Sequence, residues 1–279
     1  MNALFSYYTK PALNNEKIYV NNAAFIYSWG LSVSLAKKYF TKVILVTDTA
    51  GKKLLIDELN LPFDEVDCSF DTITNININL FMYPKIFAMD KQIEPFIYLE
   101  YDVYLFKEII NIPEIIVQSI EGFSISNNNY YNNLVNTLSE KGYNNSVFLN
   151  REESIDYGYN LGIIGGTDLD FVKFYCTQAK LMIDFINSNY NNITPEIYKL
   201  YEQWLFVLCG KDRNKNISVY LGNKRDSLQY NYTHLMQGKG SSLILYLLKN
   251  KFRLLFPETY SQLNRKLNET GINNLVIVN

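Results

Sequence analysis

The chain has 279 residues, of which 48% are hydrophobic and 15% aromatic, so it can bury a sizeable core and intrinsic disorder is excluded. Its 26 basic and 28 acidic residues give a net charge of -2. That balance lacks the basic excess of proteins that bind phosphate backbones, so we expect no nucleic acid partner.

Cysteine spacing and hydropathy bear on the compartment. Cys68, Cys176 and Cys209 are too far apart for a zinc motif or a disulfide framework, and three such cysteines are typical of a reducing compartment. The apolar start of the chain, MNALFSYY, is too short for a signal peptide. No stretch approaches the ~18 to 20 apolar residues of a membrane span, so we expect a cytoplasmic protein.

Strands and helices alternate in the first part of the chain. Residues 3–8 form a short apolar strand, 23–40 carry apolar residues at helical spacing, 42–48 form a β-branched strand, and 52–60 form an amphipathic helix. This alternation with short connections predicts a parallel sheet covered by helices on both faces.

The later elements continue the pattern. Residues 95–107 are a strong apolar run, 127–145 are an Asn-rich segment that we expect to be a surface loop, and 160–166 are a short segment bracketed by glycines. Helices are predicted over 168–190 and 195–210, and residues 241–256 are an apolar segment with interspersed cations. Because no linker and no repeat divides the chain, we expect one α/β domain over residues 1–240, with residues 241–279 as a helical extension packed on it.

Two carboxylates lie in the apolar run 95–107. Glu100 and Asp102 are two residues apart, and on an extended segment they would point to the same side. Such carboxylates are costly to desolvate without a cation, and a divalent metal such as Mg²⁺ or Mn²⁺ suits oxygen ligands. The alternative is a half-buried strand whose solvent face contains every second residue from Tyr98 to Tyr104.

Three further features lie downstream. The single histidine, His234, is followed by Gly238-Lys239-Gly240, which combines a flexible backbone with a cation. Asn160-Leu161-Gly162 places an amide and a small residue where a backbone could approach a ligand, and Glu202-Gln203 lies early in a helix. Each feature alone also fits a structural role, as a loop, a bulged strand or a polar helix face.

Taken together in this order and spacing, these features resemble the nucleotide-sugar-dependent glycosyltransferases of the A-type fold, nearest in layout to the family-8 (glycogenin and galactosyltransferase-like) enzymes. The resemblance covers residues 3–240 as an order of elements. It implies a single Rossmann-like domain with a mostly parallel central sheet flanked by helices. It also implies transfer of a hexose from a nucleoside-diphosphate sugar, with UDP as the expected nucleotide. The acceptor stays open between a glycan, a peptide and a small molecule.

The resemblance also implies roles for individual residues, with retention of configuration at the anomeric carbon. It implies a metal site for Mn²⁺ or Mg²⁺ formed by Glu100, Asp102 and His234. It implies a donor site that contains Lys85, Asn160, Gly162, Gly238 and Lys239. It implies a reaction centre formed by Glu202 and Gln203. Two positions depart from the family pattern. Glu100 replaces an aspartate, which leaves Asp102 as the main ligand, and Lys239 follows His234 by one residue fewer than usual.

The ends of the first two strands are a further candidate region. In open α/β sheets, ligands bind beyond the carboxyl ends of the strands. We therefore predict that Tyr7, Tyr8 and Thr9, together with Thr47 and Asp48, surround the nucleotide. The alternative for the two tyrosines is ordinary aromatic packing in the core or on the surface.

The sequence also bears on other functional classes. The chain contains no Walker loop, no dinucleotide fingerprint and no Gly-x-Ser-x-Gly, so P-loop, oxidoreductase and serine-hydrolase chemistry are unsupported. A catalytically inactive A-type fold acting as a binding or scaffold protein stays open, and Glu100 in place of Asp favours it.

The C-terminal segment leaves two interpretations open. Residues 241–256 could form an amphipathic element at the inner face of a membrane, because Lys249, Lys251 and Arg253 interleave with apolar residues. They could equally form a terminal helix packed on its own domain.

Overall fold

The computed structural model describes residues 1–10, 19, 21–122, 130–150, 155, 157–222 and 232–269. The protein is mixed α/β, with a seven-stranded, mostly parallel sheet flanked by helices, as the alternation of elements predicted. The described strands are β1 to β9: Asn2–Tyr7, Lys42–Thr47, Glu65–Asp67, Phe96–Leu99, Val103–Leu105, Ile116–Gly122, Tyr157–Gly166, Ser218–Val219 and Tyr232–His234.

The described α-helices are α1 to α9: Asn22–Tyr39, Thr49–Lys52, Tyr83–Asp90, Tyr130–Glu140, Ser146–Leu149, Leu169–Asn189, Leu205–Asp212, Ser242–Leu255 and Pro257–Glu269. Three 3₁₀ turns and two π-helical turns lie between them: Ser69–Thr72, Pro195–Ile197 and Met236–Gly240, then Lys53–Glu58 and Lys199–Trp204. Among the described residues, none of these helices combines the length and the apolar character needed to cross a membrane.

The chain divides into two compact units, each assembled from separated segments. Unit 1 comprises Met1–Thr74, Leu99–Ile110 and Ser227–Asn279, and unit 2 comprises Asn75–Tyr98 and Asn111–Asp226, as far as these residues are described.

In unit 1, β1, β2 and β3 run parallel in the order β3-β2-β1. The register pairs Asn2 with Lys42 and Tyr7 with Thr47. β1 and β2 are buried along almost their whole length, which is why their sequences are near-continuous apolar runs without alternation.

Helix α1 lies at the centre of unit 1 and packs against α8 and α9. A Cβ at Gly30 would come within 2.6 Å of both Phe252 and Leu263, so the glycine is what allows the two C-terminal helices to approach α1. We expect any larger side chain at this position to push these helices away.

In unit 2, the strands follow the order β4-β7-β6-β8, with β6 antiparallel to β7 and parallel to β8. The backbone at the end of β7 adopts a conformation that requires two glycines. Gly165 and Gly166 have φ values of +146° and +130°, and a Cβ at Gly165 would lie 2.1 Å from the Phe96 carbonyl oxygen.

The run 95–107 is not one strand. β4 ends at Leu99 and β5 begins at Val103, and the residues between them form a turn closed by the Val103 N–H donating to the Glu100 carbonyl at 2.9 Å. The prediction that both carboxylates project from an extended segment is therefore wrong. The solvent-face alternative is also wrong, because Tyr98, Asp102 and Tyr104 are buried.

The Asn-rich segment 127–145 was predicted to be a loop; this is wrong for residues 130–140, whereas residues 141–145 form a turn and irregular chain. Helix α4 occupies Tyr130–Glu140, while residues 127–129 lie outside the described part of the chain. Tyr131, Val135 and Leu138 are buried at helical spacing. Three apolar residues on one face suffice to hold the helix, although the composition of the segment is polar.

Candidate metal centre and a second buried polar cluster

A short antiparallel ribbon in unit 1 brings the acidic turn and the histidine together. β5 pairs with β9, so that Val103 lies opposite His234, and the Leu235 N–H donates to the Asp102 carbonyl at 3.1 Å. The turn that carries Glu100 and Asp102 therefore lies directly beside His234.

The three side chains converge. His234 Nε2 lies 3.3 Å from Glu100 Oε2 and 3.4 Å from Asp102 Oδ2, and one ligand atom from each of the three residues lies within 4.8 Å of the others. Asp102 is 1% exposed; its Oδ2 lies beside His234 and Lys239, whereas its Oδ1 has no hydrogen-bond partner among the described residues. A buried carboxylate oxygen without a partner fits a bound cation.

The charges in the cluster reinforce one another. Burial alone would raise the pKa of Asp102, but the adjacent His234 and the charge of Lys239 more than offset this and hold it below its ordinary value. Burial alone would lower the pKa of His234, whereas the Asp102 and Glu100 carboxylates raise it to about 9. The cluster therefore favours an ionised Asp102 carboxylate with positive charge beside it.

Lys239 contributes a cation to the same cluster. It lies in the 3₁₀ turn Met236–Gly240 that follows β9, and its Nζ is 2.8 Å from Asp102 Oδ2. The ammonium also lies 5.3 Å from the Tyr101 ring centroid and 5.7 Å from that of Tyr19. Gly238 belongs to the same turn and donates its N–H to the Leu235 carbonyl at 2.7 Å.

Aromatic residues support the acidic turn from α1. Trp29 stacks on Tyr101 with ring centroids 4.9 Å apart and an interplanar angle of 13°. Ser28 donates from Oγ to the Tyr101 carbonyl at 3.0 Å, and the same Oγ lies 2.9 Å from the Tyr19 hydroxyl and 2.7 Å from that of Tyr104. Sequence reasoning missed Ser28, because the same helix contains two other buried serines, Ser32 and Ser34, and no pattern distinguishes Ser28 from them.

The polar residues at the ends of β1 and β2 bond to one another. Asp48 caps α2 by accepting from the Gly51 N–H at 2.8 Å, and it accepts from Thr9 Oγ1 at 2.5 Å. Thr47 Oγ1 donates to the Tyr7 carbonyl at 2.6 Å. These contacts fix the strand ends, and their role around a nucleotide stays a prediction.

The two predicted tyrosines differ in their surroundings. Tyr7 is buried against Phe25 and Trp29, with ring centroids 5.8 Å away in both cases, which matches the core-packing alternative. Tyr8 is half-buried and meets the Phe70 ring edge-to-face at 5.6 Å. Of the two, Tyr8 is the one with surface left to offer to a base.

Unit 2 contains a second buried polar cluster. Lys85 Nζ lies 2.6 Å from Glu202 Oε1 and donates to the Leu161 carbonyl at 2.7 Å, and both charged side chains are almost completely buried. The ammonium also lies 5.0 Å from the Tyr98 ring centroid. Lys85, predicted to reach the donor, is thus a counter-ion of one of the predicted reaction-centre residues.

The other predicted residues of unit 2 are also held by hydrogen bonds. The π-helical turn Lys199–Trp204 carries Gln203, whose Oε1 accepts from the Tyr131 hydroxyl at 3.1 Å. Asn160 donates from Nδ2 to Glu121 Oε1 at 2.5 Å and accepts from the Gly162 N–H at 2.9 Å. Sequence reasoning missed Tyr131 and Glu121, because no motif or spacing connects them to their partners.

The predicted site residues therefore fall into two sets, one in each unit. Unit 1 brings together the predicted metal ligands and Lys239, and unit 2 brings together Lys85 with Glu202. The catalytic and binding roles of all these residues stay predictions.

The comparisons with known proteins begin with the family. Residues 1–266 match the model described as "Family of unknown function (DUF6734)". The chain belongs to this family. No curated protein matches the sequence.

Solved structures resemble the protein at low identity. Galactosyltransferase LgtC in complex with donor and acceptor sugar analogues is 11% identical, over 73% of this chain and 71% of that one, with a TM-score of 0.37. An active-site mutant of LgtC is 11% identical over 73% and 70%, with a TM-score of 0.38. Mouse xyloside xylosyltransferase 1 in its apo form is 12% identical over 86% and 94%, with a TM-score of 0.36.

Proposed function

We propose that the protein is a metal-dependent glycosyltransferase that moves a hexose from a nucleoside-diphosphate sugar, with UDP as the nucleotide, to an acceptor. One observation carries the proposal: Glu100, Asp102 and His234 converge so that one ligand atom from each lies within 4.8 Å of the others. The sequence resemblance supplies the reaction class, and this ligand set supports the requirement for a metal.

The residues present fit a divalent ion. Two carboxylates and one imidazole suit Mn²⁺ or Mg²⁺, and buried Asp102, whose Oδ1 has no partner among the described residues, is the proposed principal ligand. Glu100 is 20% exposed and would complete the site from its rim. A metal held here would stabilise the negative charge that develops on the leaving diphosphate.

The remaining residues would bind and orient the donor. Lys239 and Gly238 would contact the phosphates, and Tyr8, with the Thr9–Asp48 pair, would contact the nucleoside. The resemblance assigns Asn160 and Gly162 of unit 2 to the donor sugar.

Glu202 and Gln203 are the proposed reaction-centre residues. Because Lys85 neutralises Glu202, we assign Gln203 to the reacting face of the donor and treat Glu202 and Lys85 as positioning residues. Retention of configuration follows from the resemblance.

A specific observation favours the second candidate, a protein that binds the donor without turning it over. Glu202 and Gln203 are 2% and 5% exposed, and both are bonded inside the protein. A reaction centre with so little exposure suits a binding or scaffold protein that has retained its nucleotide site.

A membrane surface is the partner we propose for α8. The helix buries Leu248 and Phe252 but exposes an apolar stripe: Leu243, Tyr246, Leu247 and Leu254 are 63%, 63%, 52% and 77% exposed. Exposed Lys249, Lys251 and Arg253 flank this stripe, and α8 contains no acidic residue. Apolar and cationic groups on one exposed helix complement an anionic lipid surface.

Calorimetry with UDP and Mn²⁺, followed by release of UDP from a panel of UDP-sugars, tests the proposed function. We expect Mn²⁺-dependent UDP binding and slow donor hydrolysis, and we expect Asp102→Asn and His234→Ala to lose both. Asp64→Asn, which changes a carboxylate near the surface of the same unit, is the matched control.

Each outcome has a meaning. UDP binding without turnover of any donor would favour the binding protein. Full activity in excess EDTA, or Mn²⁺ affinity unchanged in Asp102→Asn, would contradict the metal site.

A further inference from the structure

Lys239 lies at the oxygen that a metal would need. Its Nζ is 2.8 Å from Asp102 Oδ2, the same oxygen that His234 Nε2 approaches at 3.4 Å. Because Asp102 is almost completely buried, a divalent ion bound to this oxygen would lie within a few ångströms of the ammonium. Two cations at one carboxylate oxygen repel each other strongly where little water screens them.

The lysine side chain is able to move away. It has a flexible four-carbon stem, and it lies between Gly238 and Gly240 in the turn after β9. The Lys239 side chain is 15% exposed, so it already borders solvent. The ammonium can therefore move from Asp102 toward solvent.

The charge balance indicates what would draw the ammonium away. With His234 neutral, as a metal ligand must be, Glu100 and Asp102 with Lys239 sum to one negative charge, and a divalent ion would turn this into one positive charge. The negative charge of a diphosphate would offset this positive charge, because diphosphate oxygens can bind a metal and accept hydrogen bonds from the ammonium.

We propose that Lys239 is an internal counter-cation that competes with the metal for Asp102 and is released to the diphosphate, so that metal and nucleoside diphosphate bind together. This inference rests on the proposed function, since it concerns the same site. It adds a coupling between metal binding and nucleotide binding that neither the ligand set nor the resemblance implies.

The test measures Mn²⁺ affinity by calorimetry with and without UDP, in the wild type and in Lys239→Met. In the wild type, we expect UDP to increase the Mn²⁺ affinity about 10-fold, within the usual range of coupling between two ligands. In Lys239→Met, we expect Mn²⁺ alone to bind several-fold more tightly, while the enhancement by UDP falls to about 2-fold. Lys239→Arg should behave as the wild type, and Lys53→Met, on an exposed helix surface, is the control for loss of a positive charge.

The outcomes separate this inference from the proposed function. If Asp102→Asn binds Mn²⁺ as the wild type does, the metal site itself is wrong. If the wild type loses Mn²⁺ binding in Asp102→Asn but Lys239→Met binds Mn²⁺ alone no more tightly, only the competition is overturned. Should Lys239→Met not fold, the wild type decides, because equal Mn²⁺ affinity with and without UDP would contradict the inference.

Discussion

At the scale of single residues, both buried clusters are held by contacts between distant parts of the chain. Asp102 and His234 are 132 positions apart in sequence, yet their side chains lie 3.4 Å apart. Ser28, Tyr131 and Glu121 complete the two clusters through contacts with distant segments. Such contacts arise from packing of whole elements, so no local pattern announces them.

The buried Lys85–Glu202 pair leads to a prediction about stability. Lys85→Met leaves the Glu202 carboxylate buried without its cation, so we expect the free energy of unfolding to fall by about 3 to 5 kcal/mol. Urea denaturation monitored by tryptophan fluorescence measures the loss.

A second variant shows whether the loss comes from the unpaired charge. Lys85→Met combined with Glu202→Gln removes both charges, so we expect it to recover a large part of the lost stability. A double variant as unstable as the single one would mean that packing, and not the uncompensated carboxylate, determines the cost.

At the scale of elements, the sequence predicted the strands and helices of the first 60 residues well because burial there follows regular periods. The prediction of one strand failed at the turn between β4 and β5, because the apolar composition of the run gives no sign of a turn that buries Asp102. Sequence reasoning also failed at α4, where a polar composition conceals three apolar residues at helical spacing. In both cases, packing against other elements overrides composition.

The start of α6 gives a prediction that depends on pH. Asp168 caps this helix by accepting from the Phe171 N–H at 2.9 Å, and Lys215 Nζ lies 2.5 Å from its other carboxylate oxygen. Burial would raise the pKa of Asp168, but these two contacts outweigh it and hold the pKa below its ordinary value. The stability that the ionised carboxylate contributes is therefore present above that ordinary value and is lost as the pH falls through the lowered pKa.

We expect Asp168→Ala to lower the free energy of unfolding by about 1 kcal/mol at pH 7. The difference from the wild type should shrink as the pH is lowered below the ordinary pKa of an aspartate, because the wild-type carboxyl is then protonated as well. Urea denaturation at several pH values checks this. A difference that stays constant down to the lowest pH at which the protein folds would show that the charge of Asp168 contributes nothing.

At the scale of the whole molecule, the outer face of α8 exposes apolar side chains that folding does not require. The helix is already anchored on α1 through Leu248 and Phe252, so its outer leucines and Tyr246 contribute little to folding. A bilayer with anionic lipids would bury these side chains, and each basic residue beside them would add about 1 kcal/mol of attraction. We therefore expect the protein to sediment with vesicles that contain phosphatidylglycerol.

The vesicle experiment compares phosphatidylcholine with mixed phosphatidylcholine and phosphatidylglycerol, at low and at high salt. We expect binding only to the mixed vesicles and weaker binding at high salt, since screening reduces attraction between the basic residues and the lipid headgroups. Leu243→Glu with Leu254→Glu should reduce binding about 10-fold, because both apolar contacts are lost and negative charge meets an anionic surface. Ile93→Glu, which changes an 84% exposed apolar residue of unit 2, should bind as the wild type does. Equal loss in this control would mean that general surface charge, and not the face of α8, determines the interaction.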